Sequence, residues 1–179
     1  EADVASEPVS GKIKVKSDAW ENMRNDNIEE NLDDRADKYE SYMDNFEGDA
    51  AEDAEEIESL REETKKSKTK DDLEKSGEKI AEADSELEDS MMMNEASISN
   101  MSNLSDEYKE SDAAGRFKSA VKKGNAVLQQ QIKNRQAIDK VKAEYKEAYD
   151  RIMKKFQDDK SKIFRDLDEF RKKQQEGMN

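Results

Sequence analysis

Residues 117–170, which read FKSAVKKGNAVLQQQIKNRQAIDKVKAEYKEAYDRIMKKFQDDKSKIFRDLDEF, decide the fold of this chain. Their apolar stripe consists of Phe117, Val121, Val127, Leu128, Ile132, Ile138, Val141, Tyr145, Tyr149, Ile152, Phe156, Ile163, Leu167 and Phe170. From Ile138 onward the step averages roughly 3.6 residues, the period of an α-helix. No proline interrupts the stretch. A helix this long needs partners of similar length to bury its stripe, so the pattern predicts a bundle of long helices.

The composition indicates a thin core. Only 32% of the residues are hydrophobic and 44% are charged. A globular core requires more apolar side chains, whereas long helices that pair along narrow faces require few. We therefore expect an all-α fold, specifically an elongated antiparallel three-helix bundle or coiled coil.

Capping and turn residues place the three helices at about residues 18–66, 70–110 and 112–175, within a single elongated bundle over residues 18–176. Asp18 can cap the first helix, and Thr69 together with Asp72 can cap the second. Ser111 or Asp112 can cap the third helix, and Gly115 permits a tight bend at this turn. Residues 1–17 are expected to be an extended or disordered leader. Residues 94–105 are rich in Asn and Ser, and a break there would give a four-helix variant.

The charge is divided unevenly along the chain. Residues 1–110 contain 35 acidic and 14 basic side chains, and residues 111–179 contain 11 acidic and 18 basic ones. The simplest interpretation is that the third helix lies between the other two with its cations facing their carboxylates. Alternatively, the basic end of that helix docks an acidic partner or an anionic lipid, with Phe164, Phe170, Arg171, Lys172 and Lys173 as its contacts.

Several function classes are disfavoured. A net charge of −14 argues against nucleic acid as a partner. The chain has no cysteine and no histidine, which removes thiolate chemistry, the commonest general base and the commonest metal ligand. Phosphate-binding loops and nucleophile elbows are absent from the sequence. We expect no enzymatic activity, no catalytic residues, no metal centre and no cofactor.

Met91, Met92, Met93 and Met101 form the one compositional anomaly. Methionines fill irregular gaps in helical cores, and this is the simplest interpretation of the group. They also make adaptable contacts with partners, and their thioethers are ligands suited to Cu(I). These four methionines and the five residues near the basic end are the predicted partner-binding residues.

The function that these observations favour is a non-enzymatic structural or interaction protein, an acidic helical rod that presents surfaces to another protein. The absence of cysteine slightly favours an extracytoplasmic setting, at the cell envelope, on the cell surface or secreted. Membrane contact is expected only through a removed anchor or the basic helix end, and a homo-oligomer is left open. The alternatives are a chaperone-like or carrier protein that holds a client or ligand in a cleft between helices, and methionine-based copper handling.

Overall fold

The computed structural model describes the backbone of residues 7–178 and the side chains of residues 28–178. Three helices account for almost all of this part: α1 (Glu7–Lys66), α2 (Lys70–Glu107) and α3 (Ala113–Met178). They pack against each other, and no strand occurs in the described backbone. The fold is therefore an all-α three-helix bundle, as the sequence predicts.

The helix bounds correct three details of that prediction. α1 begins at Glu7 instead of Asp18, so residues 7–17 are helical and not extended. Pro8 is compatible with this start because a proline in the first turn lacks an N–H that would have no intrahelical partner. The predicted leader at residues 1–6 lies outside the described residues. α2 continues through residues 94–105, which excludes the four-helix variant, and Gly115 lies inside α3.

Both turns are fixed by hydrogen bonds. The Thr69 hydroxyl accepts a hydrogen bond from the Asp72 amide at 3.1 Å, which is the predicted cap of α2. At residues 108–112 the Ser111 amide and hydroxyl both donate to the Tyr108 carbonyl, at 2.9 and 2.6 Å. Each of these bonds satisfies a helix-terminal group that has no partner within its own helix.

The helices are grouped into two compact units. Unit 1 comprises the described residues up to Gly48 together with Met91–Gln129, and unit 2 comprises Asp49–Ser90 and the described residues from Gln130 onward. The core of unit 1 contains Leu32, Ala36, Met43, Met101, Ala113, Phe117 and Ala120. In unit 2, Leu73, Ala148 and Ile152 form a buried cluster with Tyr145 against it.

The buried face of α3 follows a heptad pattern that includes polar residues. It consists of Phe117, Ala120, Gly124, Val127, Gln131, Asn134, Ile138, Val141, Tyr145, Ala148 and Ile152, at alternating steps of three and four. This is the 3.5-residue period of coiled coils. The apolar stripe expected from the sequence was therefore wrong in part: Val121, Leu128 and Ile132 are only half-buried beside this face, and Tyr149 and Phe156 are exposed.

α1 and α2 contribute matching faces. On α1 the inward positions are Leu32, Ala36, Tyr39, Met43, Phe46, Ala50, Asp53, Ile57, Leu60, Thr64 and Ser67, again at steps of three and four. On α2 the buried face has two successive steps of four, from Ala83 to Leu87 to Met91. Such an insertion locally unwinds a coiled coil.

Candidate interaction surfaces

The last part of α3 is not covered by another helix in the described part of the chain. Ile152 is the last buried residue, and residues 154–178 are all exposed although they remain helical. The turn between α1 and α2 lies beside this point, because the Arg151 guanidinium donates to the Ser67 carbonyl at 3.1 Å. We call residues 154–178 the α3 extension. At 1.5 Å per residue it is about 37 Å long.

A stripe of large apolar side chains runs along the α3 extension. Its members Phe156, Ile163, Leu167 and Phe170 are between 50% and 62% exposed, and Phe164, which borders the stripe, is 56% exposed. Such residues usually lie inside a protein, and a contiguous exposed group of them marks a surface used for binding.

The stripe has the spacing of a coiled-coil face. Tyr149, Met153, Phe156, Lys160, Ile163, Leu167 and Phe170 alternate by steps of four and three. These positions are one residue out of phase with Ala148 and Ile152, so they do not continue the face that is buried in the bundle. The single apolar stripe predicted from the sequence contains residues of both the buried face and this exposed face. The one-residue change of phase after Ile152 is the signal that separates the two faces.

Charges on the α3 extension are mixed. The segment contains eight basic and six acidic side chains. Lys160 lies over the ring of Phe164, with its Nζ 6.0 Å from the ring centroid, at the outer limit of a cation–π contact. The segment is therefore close to neutral, in contrast to the acidic helices α1 and α2.

The predicted partner-binding residues divide into two groups. Phe164, Phe170 and residues 171–173 are exposed on the α3 extension, as a contact surface requires. Among the methionines, Met91 and Met101 are buried in the core, which corrects their assignment to a partner surface. Met92 and Met93 are exposed by 63% and 61%. Consecutive helical residues point about 100° apart, so the three adjacent thioethers do not converge.

Three cations of α3 that precede the extension, Arg116, Lys123 and Lys142, pair with carboxylates of α1 or α2. In unit 1, Arg116 bonds to Glu40 at 2.7 Å and also to Asp37, and Lys123 bonds to Asp44. These carboxylates raise the pKa values of Arg116 and Lys123 by hydrogen bonding. In unit 2, Arg61 of α1 bonds to Glu144 of α3 at 2.8 Å, so in this pair the cation lies on α1 and the carboxylate on α3.

An open groove in unit 1 is a second candidate site. It has a volume of about 550 Å³ and is lined by Arg35, Lys38, Tyr39, Tyr42, Asn100 and Asn103 among others. The rings of Tyr39 and Tyr42 meet edge to face with centroids 6.0 Å apart. Within the described chain, Arg35 and Lys38 form no ion pair. The groove thus combines two aromatic rings with two available cations.

Asp53 is a carboxylate at a core position of α1 in unit 2. Burial raises its pKa to about 6, and the negative charges of Glu56, Asp49, Glu86 and Glu52 add to the effect. No lysine or arginine among the described side chains forms an ion pair with it. An aspartate is not expected on an apolar face, so the sequence pattern does not single out this residue.

Metal and membrane sites were also sought in the described residues. No three histidine, cysteine, aspartate or glutamate side chains there are close enough together to hold a metal ion. Over the same residues, no helix combines the length and the apolar character needed to cross a membrane. Comparison of the chain with protein-family models, curated proteins and solved structures gives no match.

Proposed function

We propose that this chain is a non-enzymatic interaction protein that uses the α3 extension as its docking surface. The observation that carries the proposal is the exposed stripe of Phe156, Ile163, Leu167 and Phe170 on a helix segment that none of the described side chains covers. A lone helix segment gains no stability from tertiary packing. Helices with one apolar face are recognised by a complementary groove or by a second helix, and the heptad spacing favours the second helix.

The chemistry of the chain supports a role without catalysis. General acid–base groups need a pKa that is tuned in a dry pocket, and histidine is the residue most often used. The chain has no histidine or cysteine. The grooves found among the described residues are open to solvent. Asp53, whose pKa is raised, lies near other carboxylates and forms no ion pair with a described lysine or arginine.

Site-specific photo-crosslinking tests the proposed surface. A photoreactive phenylalanine derivative replaces Phe164, which borders the stripe, and in a matched sample it replaces Arg165, on the opposite face of the same helix turn. In the cells that produce the protein, we expect adducts from position 164 and few from 165. The adducts must also disappear when Ile163→Asp and Leu167→Asp are introduced. Equal labelling at the two positions, or adducts that survive the double substitution, would contradict the proposal.

We also propose an extracytoplasmic location. The support is the complete absence of cysteine from a chain of 179 residues, which carries no risk of unwanted disulfides in an oxidising compartment. Fractionation of the producing cells, with antibodies against the bundle, tests the location. Recovery in the cytosolic fraction alone would contradict it.

A carrier role is the second candidate, and the groove beside Tyr39 and Tyr42 favours it. Its volume of about 550 Å³ falls in the range of small-molecule sites, and its two cations suit an anionic ligand with an aromatic part. A fluorescent naphthalenesulfonate serves as a probe. We expect binding that is lost in the double variant Arg35→Gln, Lys38→Gln and retained when Lys66, an exposed cation of α1 outside the groove, is replaced by Gln. Equal binding by all three proteins would remove this candidate. Nothing in the described residues favours copper handling, which stays a prediction from the sequence.

A further inference from the structure

We propose that the partner of the α3 extension is a second copy of this chain, bound antiparallel along the stripe. This inference rests on the proposed function, because it identifies the occupant of the same surface. It is carried by the heptad spacing of the exposed residues, the charge balance of the segment and the charges beside its base.

The spacing makes the segment suitable for self-pairing. Phe156, Ile163 and Phe170 occupy one core position of successive heptads, and Met153, Lys160 and Leu167 occupy the other. In an antiparallel pair these two positions face each other. When the whole extension overlaps, Ile163 packs against Leu167 of the second copy and Phe156 against Gln174. The same register places Lys160 against the ring of Phe170, a favourable cation–aromatic contact.

Charge distinguishes a second copy from other occupants. Asp158, Asp159, Asp166, Asp168 and Glu169 interrupt the basic residues of the extension. Repeated carboxylates disfavour an anionic lipid surface, which attracts helices whose polar face is uniformly basic. A segment with eight basic and six acidic side chains instead complements itself. In the full overlap, Asp159 lies beside Lys173 of the second copy, and this favourable pair occurs twice, whereas Asp166 meets Asp166 of the second copy once.

Charge also selects the antiparallel orientation. Residues 49–90, the α1 and α2 segments of unit 2, contain 17 acidic and 7 basic side chains. Parallel pairing would place these acidic segments of the two copies side by side and would set Lys160 against itself. Antiparallel pairing separates the acidic segments by the length of the extension, which is several Debye lengths at physiological salt.

The base of the extension offers a basic groove to the far end of the second helix. This groove has a volume of about 300 Å³, and its charged lining residues are the three lysines Lys68, Lys70 and Lys155 and one carboxylate, Asp159. In the full overlap it receives residues near Gln174 and Glu176 of the second copy. Glu176 is the acidic residue of that terminal stretch, so the charges are complementary.

Sedimentation equilibrium of the full chain tests the pairing. We expect the mass to rise from 20.6 kDa towards twice this value between about 1 and 200 µM. The double variant Ile163→Asp, Leu167→Asp should stay monomeric over this range. The control Arg165→Asp changes the net charge by the same amount on the outer face and should still dimerise. Circular dichroism confirms that both variants are folded. A monomeric wild type at the highest concentration would overturn the proposal.

Engineered cysteines test the orientation, because the chain has none of its own. In the antiparallel pair, a mixture of Phe156→Cys and Gln174→Cys chains forms a disulfide between the two different chains. Efficient disulfide formation by Phe156→Cys alone would indicate a parallel pair and would overturn the proposal as stated.

Two results separate a failed inference from a failed function. A monomeric chain whose position 164 still crosslinks to a different protein keeps the proposed function and rejects the second copy. Binding to vesicles of anionic phospholipid by the monomeric chain, lost in the Ile163→Asp, Leu167→Asp variant, rejects both. A monomeric chain with neither activity also rejects both.

Discussion

The least expected residue of the core is Asp53. Its pKa is about 6 in the folded chain against 3.8 in the unfolded chain, chiefly because burial disfavours the charged form. The folded state therefore binds the proton more tightly than the unfolded state. Protonated Asp53 therefore stabilises the folded state relative to ionised Asp53. This stabilisation is fully present below pH 3.8 and is lost as the pH rises through 6. At neutral pH an ionised Asp53 destabilises unit 2.

Replacement by asparagine, which resembles the neutral carboxyl group, should remove this penalty. Because Asp53 is partly solvated, we expect Asp53→Asn to raise the free energy of unfolding at pH 8 by only about 1 kcal/mol. The difference should vanish near pH 4. Urea unfolding at the two pH values measures it. Glu58→Gln removes the same charge from an exposed position of α1 and should change the free energy of unfolding at pH 8 by less. If Asp53→Asn destabilised the protein at pH 8, the account of this residue would be wrong.

Gly124 permits close helix packing in unit 1. A Cβ atom added there would lie 2.7 Å from Cγ1 of Ile98 and 3.0 Å from the sulfur of Met43. The Gly124 carbonyl also accepts a hydrogen bond from the Asn94 amide at 3.1 Å. The absence of a side chain thus allows both contacts at the same position.

A pair of substitutions isolates this steric role. Gly124→Ala should lower the free energy of unfolding by about 1 kcal/mol or more, because overpacking outweighs the gain in helix propensity. Gly48→Ala, on α1 with nothing within 4 Å of the added Cβ, should raise it by about 0.5–1 kcal/mol. Thermal unfolding with calorimetry measures both. If Gly124→Ala stabilised the protein, the side chains of Ile98 and Met43 would be able to move aside for the added Cβ, and the steric role of Gly124 would be contradicted.

At the scale of the helix, the sequence predicts the type and bounds of the elements better than their buried faces. The turn at residues 67–69 and its Thr69 cap follow from the local residues, because capping depends on hydrogen bonds within four positions. The start of α1 at Glu7 lies within residues that the sequence predicts to be an extended leader, although Pro8 fits the first turn of a helix.

The inward face of α3 could not be read from apolarity alone. Gln131 and Asn134 are buried while Leu128 and Ile132 lie at the flanks. Their amides are satisfied in the core: within unit 2, Gln131 donates to the Ser90 hydroxyl at 3.1 Å and Asn134 to the Ala50 carbonyl at 2.9 Å. Such bonds form between helices, so they become visible only in the folded arrangement. Buried polar positions of this kind fix the register of helix pairs.

Arg151 joins α3 to the end of α1 in unit 2. Its guanidinium donates to the carbonyls of Ser67 at 3.1 Å and Lys65 at 3.4 Å, which have no partner within α1. We expect Arg151→Gln to lower the free energy of unfolding by about 1 kcal/mol, because it loses a charged donor at a helix C-terminus. Arg135→Gln, at an exposed position of the same helix, is the control for chemical denaturation. Equal effects would mean that these hydrogen bonds contribute no net stability.

At the scale of the whole chain, the covered and uncovered parts of α3 have different chemistry. Up to Ile152 its inward face is occupied by α1 and α2, whereas residues 154–178 carry a second face with a phase of its own. The sequence indicates that the third helix is longer than its partners and that Phe164 and Phe170 are available. The change of phase that assigns Phe156, Ile163 and Leu167 to the uncovered face appears only once burial ends at Ile152.

The central claim is that the stripe on the α3 extension pairs with another helix. Amide hydrogen exchange of the full chain, at about 1 µM and about 200 µM, tests it most directly. We predict that peptides from residues 154–178 exchange rapidly in the dilute sample and become protected in the concentrated one. Peptides from residues 28–66 should be unchanged. Exchange in the extension that is the same at both concentrations would contradict pairing with a second copy. If amides of the extension also exchanged rapidly in the presence of the other proteins of the producing cells, the proposed docking surface itself would be contradicted.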